Sequence, residues 1–153
     1  MVDPVSAIGT ASAVISLVGC CAKALLFFVT YIKDTVEINQ TVRLLGIDIA
    51  HLRNELETIR DAILDATNAG NCGKLWENLA RAVDECKGTL GELDKILQKV
   101  KSKRRKVSMK FQYDFTASDI ERLRQKISQH SRTFHTLLGL ITAYFHHSRL
   151  RFG

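Results

Sequence analysis

Residues 1–32 read MVDPVSAIGTASAVISLVGCCAKALLFFVTYI, an opening that is apolar and almost uncharged. Asp3 is a favourable N-cap and Pro4 a favourable first helical residue, so a helix is predicted to begin here. In the rest of the stretch the only charged residue is Lys23. A helix so apolar belongs either in the core of a helical bundle or in a membrane.

The remainder of the chain repeats the helical period, which predicts an all-α fold. Helices are predicted at about residues 4–32, 34–67, 74–100 and 118–146. Long amphipathic helices with short connections are typical of a four-helix bundle, or one of four to five helices, in a single domain 1–153. The predicted core stripes are Val5, Ile8, Ser12, Ile15, Val18, Ala22, Leu25, Val29, Ile32; Ile38, Val42, Leu45, Ile49, Leu52, Leu56, Ile59, Ile63; Leu75, Leu79, Val83, Cys86, Leu90, Leu93, Leu97, Val100; and Ile120, Leu123, Ile127, Phe134, Leu137, Ile141, Tyr144.

The composition is that of an ordinary globular domain, with 153 residues, 46% of them hydrophobic and 25% charged. The four cysteines do not have the pattern of a disulfide framework, and no export signal precedes them. Reduced thiols in an intracellular compartment are therefore expected, with Cys20 and Cys21 acting as small core residues.

The motifs of the common enzyme classes are missing from the sequence. It contains no phosphate loop, no nucleophile elbow and no His-Glu-x-x-His pattern. His130 and His135 are five residues apart, which does not place them on one helix face. The chain is accordingly predicted not to be an enzyme, and neither a cofactor nor a metal is expected.

Basic residues are concentrated between Lys99 and Lys110, where there is no acidic residue. This segment is either a solvated connection between helices or a contact for anionic lipid or nucleic acid. Nucleic acid is the weaker alternative, because the following aromatic residues Phe111, Tyr113 and Phe115 are better explained as pinning a loop over the bundle end. The candidate lipid contacts are Lys101, Lys103, Arg104, Arg105 and Lys106.

The first helix is marginal as a membrane span. A window placed before Lys23 contains many small polar residues, and a window around Lys23 places a charge near the membrane centre at a cost of about 2.5 to 3.5 kcal/mol. Constitutive insertion is not predicted, whereas insertion after release from a bundle is. The small residues at four-residue spacing either allow close helix packing in lipid or let the helix sit deep in a crowded bundle.

Two stretches resemble a known family. The opening Val2-Asp3-Pro4-Val5-Ser6-Ala7-Ile8-Gly9-Thr10-Ala11-Ser12-Ala13 resembles the start of the HeLo-like N-terminal domains that fungal STAND-type NTPase receptors carry. The segment from Ser118 to Ile127, with the basic stretch before it, is similar to the last core helix of that group. The Asp-Pro opening followed by a small-residue run is the specific part of the resemblance.

The resemblance implies a helical bundle at the N-terminus of a longer receptor, ahead of a nucleotide-binding domain in the same chain. It implies a role in programmed cell death, heterokaryon incompatibility and non-self recognition. The domain would form a homo-oligomer on activation, relocate from the cytoplasm to the plasma membrane and disrupt it through the first helix. The small-residue packing face of that helix would be Gly9, Ser12, Ser16 and Gly19.

Two functions of different classes therefore stand side by side. The first is a membrane-perturbing effector domain that contacts anionic lipids once oligomerised. The second is a protein-interaction and oligomerisation module in which the first helix stays in the bundle and never enters lipid.

Overall fold

Four α-helices make up the part of the chain that the computed structural model describes, which is residues 4–34, 40–66, 73–104 and 117–152. They are α1 (Pro4–Asp34), α2 (Gln40–Ala66), α3 (Gly73–Arg104) and α4 (Ala117–Phe152). No strand occurs within these ranges. The predicted all-α class and helical bundle are confirmed.

The helix bounds differ from the predicted ones mainly at the ends. α1 continues to Asp34, so α2 begins at Gln40 rather than near residue 34. α3 runs to Arg104, so the first basic residues extend this helix instead of ending it. Ser118 lies inside the first turn of α4, and α4 continues to Phe152 rather than ending near residue 146. The predicted loop role of the three aromatic residues between 111 and 115 falls outside the described residues.

The helices pack as a ring of four. α1 contacts α2 and α3, and α4 also contacts α2 and α3. Among the described residues, no contact joins α1 to α4 or α2 to α3, so each of these pairs lies on a diagonal of the bundle. Within the described ranges, α1 and α4 each touch both α2 and α3.

Consecutive helices alternate in direction. The segment between α1 and α2 spans at most about 20 Å, which is half the length of the roughly 40 Å helix α2, so these two helices must be antiparallel. Thr89 of α3 contacts His130 of α4, and three residues later Glu92 contacts Lys126, so α3 and α4 also run in opposite directions. α2 and α4 are parallel, because Asp48 pairs with Arg124 and Glu55 pairs with His135 further along both helices.

The predicted core stripes of α2, α3 and α4 are confirmed along most of their described length, whereas Ile38 and Val100 lie outside the described side chains. Leu75 is only partly buried and Tyr144 is exposed, since both lie near the ends of their stripes. Each large aliphatic side chain in the core contributes about 1.5–3 kcal/mol by its burial, so these stripes are what hold the bundle together. The buried members are Val42, Leu45, Ile49, Leu52, Leu56, Ile59, Ile63, Leu79, Val83, Cys86, Leu90, Leu93, Leu97, Ile120, Leu123, Ile127, Phe134, Leu137 and Ile141.

Candidate functional site

The core face of α1 differs from the predicted stripe between residues 9 and 30, and there the prediction was wrong; Val5, Ile8 and Ile32 lie outside the described side chains. Ile15 and Val29 are each 51% exposed, and Ser12 also faces solvent. The helix is apolar on more than one side, so its period does not single out the buried face. The buried residues are displaced by about one position from the predicted ones: they are Ala11, Val14, Leu17, Cys21, Ala24 and Phe28.

The small residues Gly9, Ser12, Ser16 and Gly19 lie together on the outer face of α1. All of them are exposed, and Lys23 continues the same line at helical spacing. A Cβ atom added at either glycine would meet no atom within 4 Å. Within the described bundle these residues therefore do not mediate close helix packing, and the idea that they let α1 sit deep in the bundle is wrong.

An apolar strip on α1 lies outside the core. Ile15, Leu26 and Val29 are between 51% and 68% exposed, although each is a large hydrophobic residue. The segment from Gly9 to Thr30 has a mean hydropathy of 2.2 and only a third of it is buried. By length and composition this segment is able to cross a membrane, a property it shares with core helices of soluble proteins.

A groove of about 680 Å³ separates α1 from α3. Its floor is apolar and includes the buried residues Ala24, Leu90, Leu93 and Leu97. Its rim carries polar groups from both helices: Cys20, Lys23 and Thr30 from α1, and Asp94 and Gln98 from α3. We call this feature the α1/α3 groove.

Three cysteines lie where α1 meets α3, and they differ in exposure. Cys20 is exposed and lines the groove, whereas Cys21 and Cys86 are buried in the core. Burial raises the pKa of Cys21 to about 12 and raises the pKa of Cys86 still further. None of these three forms a disulfide in the structure, and their redox state stays a prediction. The prediction that Cys20 is a core residue was wrong.

The polar links between helices are centred on α4. Arg124 Nε donates to Asp48 Oδ2 of α2 at 2.9 Å, and both side chains are about three-quarters buried. Glu92 of α3 pairs with Lys126 at 3.2 Å and also with Arg122. These pairs fix α4 against both of its neighbours. α1 contributes only Lys23 as a charge within its described side chains, so it is held chiefly by apolar packing.

The histidines of α4 face different neighbours, as their spacing predicted. His130 Nε2 lies 2.7 Å from Thr89 Oγ1 of α3, and His135 Nδ1 lies 3.3 Å from Glu55 Oε1 of α2. Burial lowers the pKa of His130; the nearby Glu85 carboxylate opposes that shift and the Lys126 ammonium adds to it. No metal-binding cluster occurs among the described side chains.

The basic segment is only partly described. The backbone of residues 101–104 is the last turn of α3, and the structure describes no side chain between residues 100 and 117. The candidate lipid contacts Lys101, Lys103, Arg104, Arg105 and Lys106 therefore lie outside the described side chains. Their role remains a prediction.

Comparison with known proteins gives one match. Residues 3–151 match the model of the family described as pigment biosynthesis cluster protein PigL N-terminal. The match covers almost the whole chain, including α1, α2, α3 and all of α4 except its last residue. No curated protein and no solved structure matches the chain.

Proposed function

The chain belongs to the PigL N-terminal domain family, and from the geometry of α1 within this domain we propose that it is an effector domain that perturbs membranes. In this proposal α1 leaves the bundle and enters lipid when several copies of the domain oligomerise. The setting is the one that the HeLo-like resemblance implies: a cytoplasmic receptor of the fungal NLR or STAND type, with a nucleotide-binding domain in the same chain. Its output at the plasma membrane is regulated cell death in non-self recognition.

The observation that carries the proposal is the location of the ion pairs between helices. α4 contacts α2 and α3 and is joined to both by the ion pairs of Asp48 and Glu92. None of these pairs involves α1. When α1 departs, the links among the other three helices stay intact, with α4 in the middle.

Departure of α1 has a substantial cost in water. Val14, Leu17 and Phe28 are each at least 97% buried, and exposing each of them costs about 1.5–3 kcal/mol. The total of about 5–9 kcal/mol is comparable with the stability of a whole domain. A bundle that is closed at rest is therefore expected, and release needs a compensating interaction.

Lipid supplies part of that compensation. Ile15, Leu26 and Val29 are already half exposed, so burying them in a membrane gains free energy without first breaking core packing. The large apolar residues between Gly9 and Thr30 together contribute about −3 to −5 kcal/mol to insertion, and Lys23 near the centre removes about 2.5 to 3.5 kcal/mol of this. A single copy is thus poorly driven into the membrane, which is why the proposal requires oligomerisation.

Oligomerisation adds two contributions. In lipid, small residues let helices approach closely, and the outer face formed by Gly9, Ser12, Ser16 and Gly19 is available because it packs against nothing in the closed bundle. Each basic residue of the segment 101–106 that reaches an anionic surface adds about 1 kcal/mol of attraction. Both contributions to the free energy of insertion increase with the number of copies in the oligomer.

The experiment is dye release from anionic liposomes by the domain fused to a forced oligomeriser. Gly9→Leu tests the small-residue face, and Gly88→Leu on α3 is the matched control, since both glycines are exposed with open space around the Cβ position. We expect leakage from the native domain, loss of leakage in Gly9→Leu and retention in Gly88→Leu. Absence of leakage from a folded, oligomeric native domain would refute the proposal.

Thiol reactivity measures the release of α1 directly. Cys86 of α3 is buried close to Cys21 of α1 in the closed bundle, and burial raises its pKa, so its alkylation is slow there. When α1 enters lipid, Cys21 moves into the membrane with it, whereas Cys86 stays on α3 and loses its cover. In a Cys20→Ser, Cys72→Ser background we expect Cys86 to become reactive when the oligomeric domain meets anionic liposomes, but not in either condition alone. Leakage without any change at Cys86 would mean that the membrane is disturbed while α1 stays in place.

The alternative function is a protein-interaction and oligomerisation module. Exposed apolar residues on other helices favour it, since Ile47 of α2 and Leu140 of α4 are each about half exposed. In that case α1 remains in the core and its removal unfolds the domain. A variant lacking the first twenty residues would lose its helical circular dichroism signal, and the oligomeric native domain would bind a partner without releasing dye.

A further inference from the structure

The α1/α3 groove combines an apolar floor with two opposite charges on its rim. The floor residues Leu90, Leu93 and Leu97 follow one face of α3. Above them Lys23 stands on the α1 side and Asp94 on the α3 side. Lys23 has no ion-pair partner among the residues that the structure describes, and Asp94 accepts a hydrogen bond from Gln98 Nε2 at 3.0 Å.

The dimensions of the groove limit what it can hold. Its lining runs from Cys20 to Thr30 along α1, which is about 15 Å at 1.5 Å per residue. That length accommodates an extended alkyl chain of about a dozen carbons along the apolar floor.

The charges select the head group of such a molecule. A purely anionic head is attracted by Lys23 and repelled by Asp94, and a purely cationic head experiences the reverse. A head with a phosphate and an ammonium group satisfies both charges at once. The flexible stem of Lys23 also lets its ammonium group reach over the edge of an apolar channel.

We propose that the α1/α3 groove binds one free, single-chain zwitterionic amphiphile. The chain lies along the floor of Leu90, Leu93 and Leu97, the phosphate meets Lys23, and the ammonium group meets Asp94. The bound molecule touches both helices, so it stabilises the arrangement in which α1 lies against α3. Its effect on membrane activity depends on the proposed function, but its binding does not.

The reactivity of Cys20 reports whether the α1/α3 groove is occupied, because this thiol is exposed and lines the groove, whereas Cys21 and Cys86 are buried. The experiment follows alkylation of Cys20 by iodoacetamide in a Cys72→Ser background, with dodecylphosphocholine below its micelle concentration. At ten times Kd we expect about tenfold slower alkylation, since only the unoccupied protein reacts. Mass spectrometry that finds Cys21 and Cys86 unmodified establishes that the fold is intact.

The head group of the ligand, the two charges on the groove rim and the source of the ligand are tested separately. Laurate and dodecyltrimethylammonium have the same chain length with a single charge, and both should protect Cys20 more weakly. Lys23→Gln with Asp94→Asn should raise the Kd of dodecylphosphocholine about fivefold, the range that two exposed ion pairs supply. The control pair Asp84→Asn with Lys95→Gln alters the same charges at a different concavity of α3 and should leave Kd unchanged.

Shortening the chain should weaken binding about twofold for each methylene removed, about half of the effect of full burial, because the groove is open on one side. Equal protection by all three head groups, or an unchanged Kd in the Lys23 and Asp94 variant, would overturn the proposal. Protection by phosphatidylcholine vesicles as strong as that by the free amphiphile would also overturn it, since it would place the ligand in a bilayer surface.

Discussion

Phe28 and Leu26 provide the sharpest test of how α1 is held. They lie two residues apart on the same helix, and Phe28 is 3% exposed whereas Leu26 is 68% exposed. The ring of Phe28 packs over Gly46 of α2, and its Cγ lies 3.9 Å from the position that a Cβ atom would take if residue 46 had a side chain. Its ring also meets that of Phe27 edge to face, with centroids 6.0 Å apart.

Phe28→Ala is expected to lower the free energy of unfolding by about 3–5 kcal/mol. The upper part of that range applies because Gly46 has no side chain that could move into the space left by the ring. Leu26→Ala shortens an apolar side chain that is mostly exposed to solvent, so it is expected to change the free energy of unfolding by no more than about 0.5 kcal/mol. For a domain of this size, 3–5 kcal/mol corresponds to a fall in Tm of about 6–20 °C.

The assay is urea unfolding followed by the helical circular dichroism signal, with thermal unfolding as a second measurement. The slope of the urea transition reports whether a variant still unfolds in one cooperative step. A stability loss in Leu26→Ala equal to that in Phe28→Ala would refute the assignment of the α1 core face. A loss below about 1 kcal/mol in Phe28→Ala would show that α1 is not packed on α2 as described.

Three further predictions concern the other helices. Burial lowers the pKa of His130, so the folded state favours the neutral imidazole. The free energy of unfolding should therefore be full above pH 6.5 and fall as the pH drops below it. Urea titrations between pH 5 and 8 should show this dependence, and His130→Gln should flatten it. Asp48→Asn, which weakens the part-buried pair with α4, should cost about 1–2 kcal/mol in the same assay, whereas Asp61→Asn at an exposed pair within α2 should cost less than about 0.5 kcal/mol. Gly88→Ala should raise stability by about 0.5–1 kcal/mol, because its Cβ meets open space in a helix interior, and a destabilised variant would contradict the open surface described there.

Sequence alone predicted α2 well because that helix has one clear polar face. Residues such as Glu57 and Asp61 mark the solvent side, which leaves the stripe from Val42 to Ile63 as the only candidate for the core. α1 has no such contrast. Its strong hydrophobes Ile15 and Val29 looked like core residues, yet they are exposed.

One signal in α1 pointed to the correct face. Lys23 lies at helical spacing from Ser12, Ser16 and Gly19, so the polar and small residues mark the side that faces solvent. The core then lies opposite, where small residues such as Ala11, Cys21 and Ala24 do not stand out by hydrophobicity. A single charge is a weaker marker than the alternating charges of α2.

The links between distant residues could not be read from the sequence. Asp48 and Arg124 are 76 positions apart, and their pairing follows from how α2 and α4 pack in the folded chain. The α1/α3 groove is likewise a product of packing, since it exists only where the side chains of two helices leave space between them. Periodicity within one helix contains no information about either feature.

The ring of four helices also has a consequence for how the chain folds. Two neighbouring pairs, α1 with α2 and α3 with α4, are antiparallel hairpins made of consecutive segments, so about half of the helix packing forms between parts of the chain that are close in sequence. Local pairings of this kind close quickly and at little entropic cost. The interfaces that join the two hairpins, α2 with α4 and α1 with α3, connect parts of the chain that are distant in sequence, so closing them has the larger entropic cost. The first of these interfaces contains the Asp48–Arg124 ion pair, and the second contains the α1/α3 groove, so the long-range packing that costs most to form is also the packing that leaves space unfilled.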